Sequence, residues 1–372
     1  MAAIEKVIGL MSGTSLDGVD AALIETDGGE VARPLSALTI PYDEKIRALL
    51  RSALDEARGA AAAAVQGAAV PVLIERAERR LTEAHAQAVR ALLHKTGLGT
   101  GEISLLGFHG QTILHRPEQG WTWQIGDGPL LARLTGIDVV NDFRSADVKA
   151  GGQGAPLMPF YHLALVGKAR FPAPQAVVNV GGVAQVTYIW GDTVMAFDTG
   201  PGNGPIDDWM LRHSGRPLDQ DGGFARRGKV QDATLDRMLA HPFFTRKPPK
   251  SLDRLDFGME AVEGLSPEDG AATLTAFTAA ALARATEHFP KCPAIWIVSG
   301  GGRHNRFLMD QLRDRVTAPV IGADEAGWDG DFMEAEGFAY LAMRSRRGLP
   351  LSLPSTTGVR EPKTGGKFHP KR

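Results

Sequence analysis

Cysteine is almost missing from this chain. The one thiol, Cys292, has no internal partner for a disulfide, and its setting, KCPAIWIV, reads as the entry to a buried strand rather than a reactive nucleophile. A reducing compartment fits. An excess of one charge is missing too: 41 Lys and Arg against 43 Asp and Glu leave a formal charge of -2. No global field then draws the chain to phosphate backbones or anionic lipid, so neither nucleic acid nor a membrane is an expected partner. No run approaches the roughly eighteen uncharged apolar residues of a membrane span. The opening MAAIEKVIGLM is broken by Glu5 and Lys6, which is too short an apolar run for a signal peptide, and a cytoplasmic protein is expected. The dinucleotide fingerprint and the GxxxxGK[ST] loop are absent as well, which weakens Rossmann and P-loop readings.

Glycine, by contrast, is abundant, at 44 of 372 residues, and it is clustered. Clusters mean tight turns or backbone approached by a ligand. The length predicts about two domains, and 43% hydrophobic residues are enough for two cores without disulfides or structural metals. Residues 6 to 25, KVIGLMSGTSLDGVDAALIE, read as a β-hairpin. Residues 60 to 96 read as a long helix ending at Gly97, and short strands follow in ISLLGFHG and WTWQIG. After AGGQGAPL and a helix from Pro159 to Gly167 the pattern restarts. Residues 175 to 197 are again strand, Gly-Gly turn and strand, followed by a glycine loop and a helix from Ile206 to His213. The chain reads as duplicated. A helix over 268 to 288, a strand AIWIV, a helix from Asn305, a strand APVIGA and a helix from Met333 to Arg347 complete it, with a loose tail from Pro350. Such alternation predicts an α/β fold with a mixed sheet in each half.

Three stretches carry chemistry. In Ser12-Gly13-Thr14-Ser15-Leu16-Asp17-Gly18-Val19-Asp20, small residues let amides reach phosphate oxygens, and Asp17 or Asp20 can hold the water shell of a metal; a plain hairpin turn explains the glycines equally well. In Asp198-Thr199-Gly200-Pro201-Gly202-Asn203-Gly204, a carboxylate at a strand end beside a glycine loop suits a general base, and the competing reading is an Asp that caps a turn. In Ser299-Gly300-Gly301-Gly302-Arg303-His304-Asn305, three glycines after a strand leave bare backbone for a nucleoside. His109 and His115 share strand parity but lack further ligands, so no metal is expected there. Trp121 and Trp123 read as core.

The ordered series MSGTSLDGVD, HGQTILH, QIGDG, NDFRSADVKAGGQGAPL, NVGGVAQVT, FDTGPGN, VSGGGRHN and EAEGFAYLA resembles the anhydro-N-acetylmuramic acid kinase family, within the sugar kinase, Hsp70 and actin superfamily. The resemblance implies a two-lobed actin-like ATPase fold of duplicated ribonuclease-H-like domains, with mixed sheets flanked by helices and a ligand cleft between lobes. It also implies ATP with Mg²⁺, 1,6-anhydro-N-acetylmuramic acid as substrate, and a homodimer. The family reaction opens the anhydro ring with water at C1 while O6 takes the γ-phosphoryl group. Carried onto this chain, the catalytic aspartate is Asp198, and the carboxylate on the last helix is Glu334. ATP falls to Gly13 through Asp20 and to Gly181, Gly182, Gly200, Gly202, Asn203, Gly300, Gly301, Gly302 and Asn305. The sugar falls to His109, Gln111, Thr112, Asn141, Arg144 and Asp147. The expected lobes are 1–172 joined by the tail 346–372, and 173–345. Two departures stand out: Gln185, where the family has Asn, and Gly337, where it has a different small residue. The competing functions are an ordinary sugar kinase, with Asp198 deprotonating a hydroxyl, and a non-catalytic sugar-sensing module.

Overall fold

The computed structural model describes residues 2–13, 15–65, 70–169, 171–252 and 256–371, with the backbone alone for 58–65. Thr14 lies outside the described residues. Two compact units result, Met1–Lys168 with Glu334–Arg372, and Ala169–Met333.

The strands in chain order are β1 (Glu5–Met11), β2 (Gly18–Thr26), β3 (Ala32–Pro41), β4 (Leu105–Phe108), β5 (Gln111–Arg116), β6 (Trp121–Ile125), β7 (Val139–Asn141), β8 (Gln175–Val180), β9 (Val183–Trp190), β10 (Thr193–Pro201), β11 (Ile295–Ser299), β12 (Val320–Gly322) and β13 (Lys367–His369). The first unit's sheet runs β13-β7-β4-β1-β2-β3 and the second unit's runs β10-β9-β8-β11-β12. In each unit the first three strands form an antiparallel meander, and the next two add in parallel beside the first. The same order and the same senses occur twice. This is the duplicated ribonuclease-H-like arrangement that the resemblance implied, with β13 as an extra edge strand in the first unit.

Parallel neighbours need crossovers, and helices supply them. Between β1 and β4 run the helices Glu44–Val65 and Val72–Thr96. The second buries Ile74, Ala77, Leu81, Ala84, Ala88 and Leu92, one per turn, against Ile8, Leu10, Leu23 and Phe108. It ends, as expected, at Gly97 with φ +69°, whose N–H reaches back to the Leu93 and His94 carbonyls. The single helix read over 60 to 96 is thus two, because Pro71, without an N–H, starts a new one.

Two further expectations are corrected. From Glu334 on, the last helix, Met333–Arg346, belongs to the first unit and not to the second half of the chain. It lies on the backbones of Gly9 and Gly107, which are register partners across β1 and β4. A Cβ there would fall 1.8 Å from the Ala335 carbonyl oxygen and 2.1 Å from that of Phe338, so only glycine allows the helix so close. Gly337, on this last helix, faces Met158, just before the helix Pro159–Lys168; a Cβ would meet its Sδ at 2.2 Å, and the methionine fills the space a side chain would take. The tail is built in rather than loose. Ser352 bridges Lys363, a short helix spans Pro354–Thr357, and β13 pairs with β7, covering hydrogen-bonding groups that the sheet edge would otherwise expose. Among the described residues no helix is long and apolar enough to cross a membrane.

Candidate functional site

Asp198 is only 2% exposed. It stands in β10 at the bulge that separates it from Gly200 in the pairing with β9. Its N–H donates to the Lys250 carbonyl at 3.0 Å, and its Oδ2 accepts the Leu252 N–H at 2.8 Å. The register sets Asp198 opposite Gln185, Gln185 opposite Asn179, and Asn179 opposite Ser299, so a polar row crosses four strands on one face. The Gln185 departure therefore touches the aspartate's own surroundings.

The second and third glycine loops meet within this unit. Gly202 packs on the Gly181–Gly182 turn: its N–H donates to the Gly182 carbonyl, and a Cβ would lie 2.1 Å from the Gly181 oxygen. Gly200 lies against the Ala281 side chain, and Thr278 Oγ1 donates to the Gly202 carbonyl at 2.9 Å. Asn203 opens the helix Gly204–Ser214, and its side-chain amide donates to Val180 O at 3.3 Å. Gly300 has φ +74°, and Gly302 packs on the Val180 side chain. Close packing alone requires Gly200, Gly202, Gly300 and Gly302. Gly181 and Gly301 differ: a Cβ would meet nothing nearer than 3.7 Å, which leaves open backbone for a ligand. The third loop is braced by Arg303, whose side chain is 3% exposed. It pairs with Asp331 at 2.6 and 2.8 Å, with Asp324 at 2.9 Å, and with the Gly300 carbonyl at 3.1 Å. Those carboxylates raise its already high pKa further, so the brace is permanently charged. Asn305 Oδ1 accepts the Leu308 N–H at 2.9 Å and so caps the helix Arg306–Arg313.

In the first unit the opening hairpin divides in two. Leu16, at φ +57°, and Val19 are buried, and a Cβ on Gly18 would lie 2.3 Å from the Ile40 carbonyl oxygen, so these three shape the turn. Gly13, Ser15 and Asp17 stay toward solvent, and a Cβ on Gly13 would meet only Ser15 Oγ at 3.6 Å. Asp20 Oδ1 accepts the Thr39 hydroxyl at 2.5 Å. Among the described residues no group of three or more His, Cys, Asp or Glu is placed to hold a metal ion. A magnesium ion that arrives on nucleotide phosphates needs only one or two protein carboxylates and keeps its waters, and Asp17 and Asp20 fit that demand.

Of the sugar candidates, His109 and Arg144 meet directly. His109 is buried, its ring 4.4 Å from that of Phe338 of the last helix in a tilted contact. Its Nδ1–H donates to Gly110 O at 2.9 Å, and its Nε2 accepts Arg144 Nε–H at 3.1 Å. Arg144 also donates to Gly154 O at 2.7 Å. The guanidinium has no acceptor, so the imidazole is held as the neutral Nδ1–H tautomer, and burial together with the Arg144 charge pushes its pKa well below the usual value. Nitrogen-15 NMR is expected to show this tautomer from about pH 8 to about pH 6; an imidazolium signal near pH 6.5, the ordinary midpoint, would overturn the arrangement. Gln111 Oε1 accepts the Ser12 hydroxyl at 2.7 Å, and Ser12 accepts the Tyr42 hydroxyl at 2.8 Å. Thr112 Oγ1 accepts the Gln124 amide at 3.2 Å.

Two sugar candidates are tied to the frame. Asp147 accepts the Gly154 N–H at 2.7 Å, the Thr357 hydroxyl at 2.6 Å and the Ser352 hydroxyl, which ties the glycine loop to the tail. Asn141 donates to Gly126 O at 3.0 Å and accepts His369 Nε2–H at 2.9 Å, which ties β7 to β13. Glu334 lies half-buried in the first turn of the last helix, and its neighbour Glu336 is buried with the Tyr161 hydroxyl at 2.6 Å. Sequence reading missed Lys250, Tyr42, and the roles of Arg303, Ser352 and Thr357. No glycine run marks Lys250, and Ser352 and Thr357 meet Asp147 from more than two hundred residues away, which leaves no local pattern.

The family model described as anhydro-N-acetylmuramic acid kinase matches residues 5–371. A protein of that name from Rhizorhabdus wittichii is 52% identical over 364 residues, covering 97% of this chain and 98% of its own. One from Zymomonas mobilis is 51% identical over 366 residues, covering 97% and 99%. Among solved structures, a ROK family glucokinase from Streptomyces griseus in complex with glucose and AMPPNP covers 92% of this chain and all of its own at 15% identity and TM-score 0.42. Component A of the (R)-2-hydroxyglutaryl-CoA dehydratase of Acidaminococcus fermentans gives 10% identity and TM-score 0.48 over 92% and 99%.

Proposed function

The chain belongs to the anhydro-N-acetylmuramic acid kinase family, and from that premise we propose how its residues divide the work. The protein is an ATP-dependent kinase that acts on 1,6-anhydro-N-acetylmuramic acid in peptidoglycan recycling, giving N-acetylmuramic acid 6-phosphate and ADP. The observation that carries the reading is the match over residues 5–371, joined to one buried aspartate at the end of a strand beside a glycine loop.

In the proposed mechanism Asp198 takes a proton from water as the water oxygen bonds to C1. The C1–O6 bond breaks, and its electron pair on O6 forms the new bond to the γ-phosphorus while ADP leaves. Because phosphorus captures the leaving oxygen, no general acid is needed to protonate it, which supports one dominant aspartate rather than the acid and base pair of ordinary glycosidases. The open backbone of Gly13, Gly181 and Gly301, with Ser15, Asp17, Gly182 and Asn203 beside it, supports their assignment to ATP. Mg²⁺ would neutralise phosphate charge, with Asp17 and Asp20 as its protein carboxylates. His109, Gln111, Thr112 and Arg144 are assigned to the sugar: the guanidinium, held by the His109 imidazole and the Gly154 carbonyl, offers directed donors to hydroxyl and carboxylate oxygens. Glu334 is assigned as the second carboxylate of the site. A homodimer and a cytoplasmic location belong to the same reading, supported by the family resemblance.

The test is where water goes. With intact anhydro sugar in H₂¹⁸O, the label is expected on C1 and none on the transferred phosphoryl group. Attack opposite the departing O6 requires inversion, so a single anomer is expected before mutarotation. Mass spectrometry and rapid proton NMR read both. Label on the sugar phosphate's phosphorus, or an equal anomer mixture from the earliest times, would overturn the mechanism.

A further inference from the structure

Asp198 is held by a segment that belongs to no strand. Residues 250–252 run beside β10 at its bulge and contribute the Lys250 carbonyl, which accepts the Asp198 N–H at 3.0 Å, and the Leu252 N–H, which donates to Asp198 Oδ2 at 2.8 Å. An irregular segment without ladder bonds of its own needs another anchor. The Lys250 side chain is one: the residue is 4% exposed, and its Nζ donates to the Phe243 carbonyl at 3.2 Å. The ammonium lies 4.4 Å from the ring centroid of Phe243 and 5.9 Å from that of Phe197, which immediately precedes Asp198. The lysine thus grips both sides of the aspartate, the ring before it and the segment that hydrogen-bonds it.

A buried ammonium is a costly way to fill this space, since an apolar chain of equal length would pack against the same rings without desolvating a charge. The surroundings add to the cost: Arg246, Arg284 and His288 face the site, with Glu287 as the opposing charge. Burial and the two guanidinium groups push the lysine down to about 8. A charge kept at such expense beside the base suggests a use beyond packing.

We propose that Lys250 is a positioning residue for Asp198: its ammonium, anchored on the Phe243 carbonyl and between the two aromatic rings, fixes the 250–252 segment whose amide aims the carboxylate. The inference rests on the reading of Asp198 as the base. Lys250→Met keeps the chain length and the apolar contacts but removes the donor and the charge. It is expected to lower kcat by about 10- to 100-fold, the scale of a misplaced catalytic group, with KM for ATP and for the anhydro sugar unchanged within about 2-fold. Melting temperature should hold or rise. Lys250→Arg, which keeps a donor and a cation, should recover part of kcat. In the Asp198→Asn background, adding Lys250→Met should leave the residual rate unchanged, because a group that acts through the aspartate has nothing left to aim. Full kcat in Lys250→Met beside an inactive Asp198→Asn overturns this inference alone. A loss of kcat that tracks a fall in melting temperature, or one that persists in the Asp198→Asn background, also overturns it. An active Asp198→Asn overturns the underlying reading and this inference with it.

Discussion

Asp198→Asn is expected to lower kcat by about 10² to 10⁴, or about 2.7 to 5.5 kcal/mol of transition-state stabilisation, while ATP binds nearly as before. The amide has almost the shape of the carboxylate, and its oxygen still accepts the Leu252 N–H that now meets Oδ2 at 2.8 Å. The Asp198 N–H stays bonded to the Lys250 carbonyl, so the bulge of β10 and the loop beyond it keep their form. What is lost is the capacity to take a proton from water. Steady-state kinetics with the anhydro sugar, beside calorimetry with a non-hydrolysable ATP analogue, separate the two effects. A variant that keeps more than about a tenth of the wild-type kcat, a loss under about 1.4 kcal/mol, would mean that Asp198 is not the base.

Legibility in the sequence followed the range of the interactions. The hairpins, the restart at residue 175 and the glycine loops were readable because each rests on residues within about a turn of one another. The helix that Gly97 closes was readable for the same reason, although Pro71 divides it. What failed was long-range. The last helix follows the second unit in the chain, yet Gly9 and Gly107, more than two hundred residues earlier, make its seat. The tail looked loose from its Pro, Gly and Lys content, but Ser352 and Thr357 find Asp147 and the β13 backbone finds β7. Nor does the sequence show that Asp147, Asn141 and Asn305 hold the frame: a polar residue in a glycine-rich motif looks alike whether it faces a substrate or holds a loop. Lys250 carried no signal, since its role comes from the fold of Phe243 and Phe197 around it.

Mild acid is expected to unfold the first unit well before ordinary acid denaturation. His85, His109 and His162 lie in that unit, all three buried, and burial pushes each below its ordinary value of 6.5: His85 to about 4, His162 to about 3, and His109 well below with the help of Arg144. His85 shows the cause most plainly. Its Nδ1–H already donates to the Leu81 carbonyl at 2.8 Å, and its Nε2 has no hydrogen-bond partner among the described residues, so an added proton there would be buried without an acceptor. The sign follows from linkage. With the folded value below the unfolded one, the unfolded chain binds more protons between them, so stability is full above about 6.5 and falls as the pH drops through that window. Each histidine removes about 1.4 kcal/mol per pH unit there. At pH 5 each has removed about 2 kcal/mol, and the three together about 6, against a typical total of about 5 to 15 kcal/mol. In the second unit the described histidine pushed the same way, His288, is only partly buried and contributes less. Hydrogen-exchange mass spectrometry from pH 7.5 to pH 5, with rates corrected for intrinsic exchange, can read the units separately. Protection in the helix Val72–Thr96 and in β4 should fall steadily between about pH 6 and pH 5 while β8 and β11 stay protected. His85→Gln, which cannot titrate, should make the fall shallower by one proton. Equal protection in β4 at pH 7.5 and pH 5 would show that the three imidazoles gain protons in the fold as readily as in water.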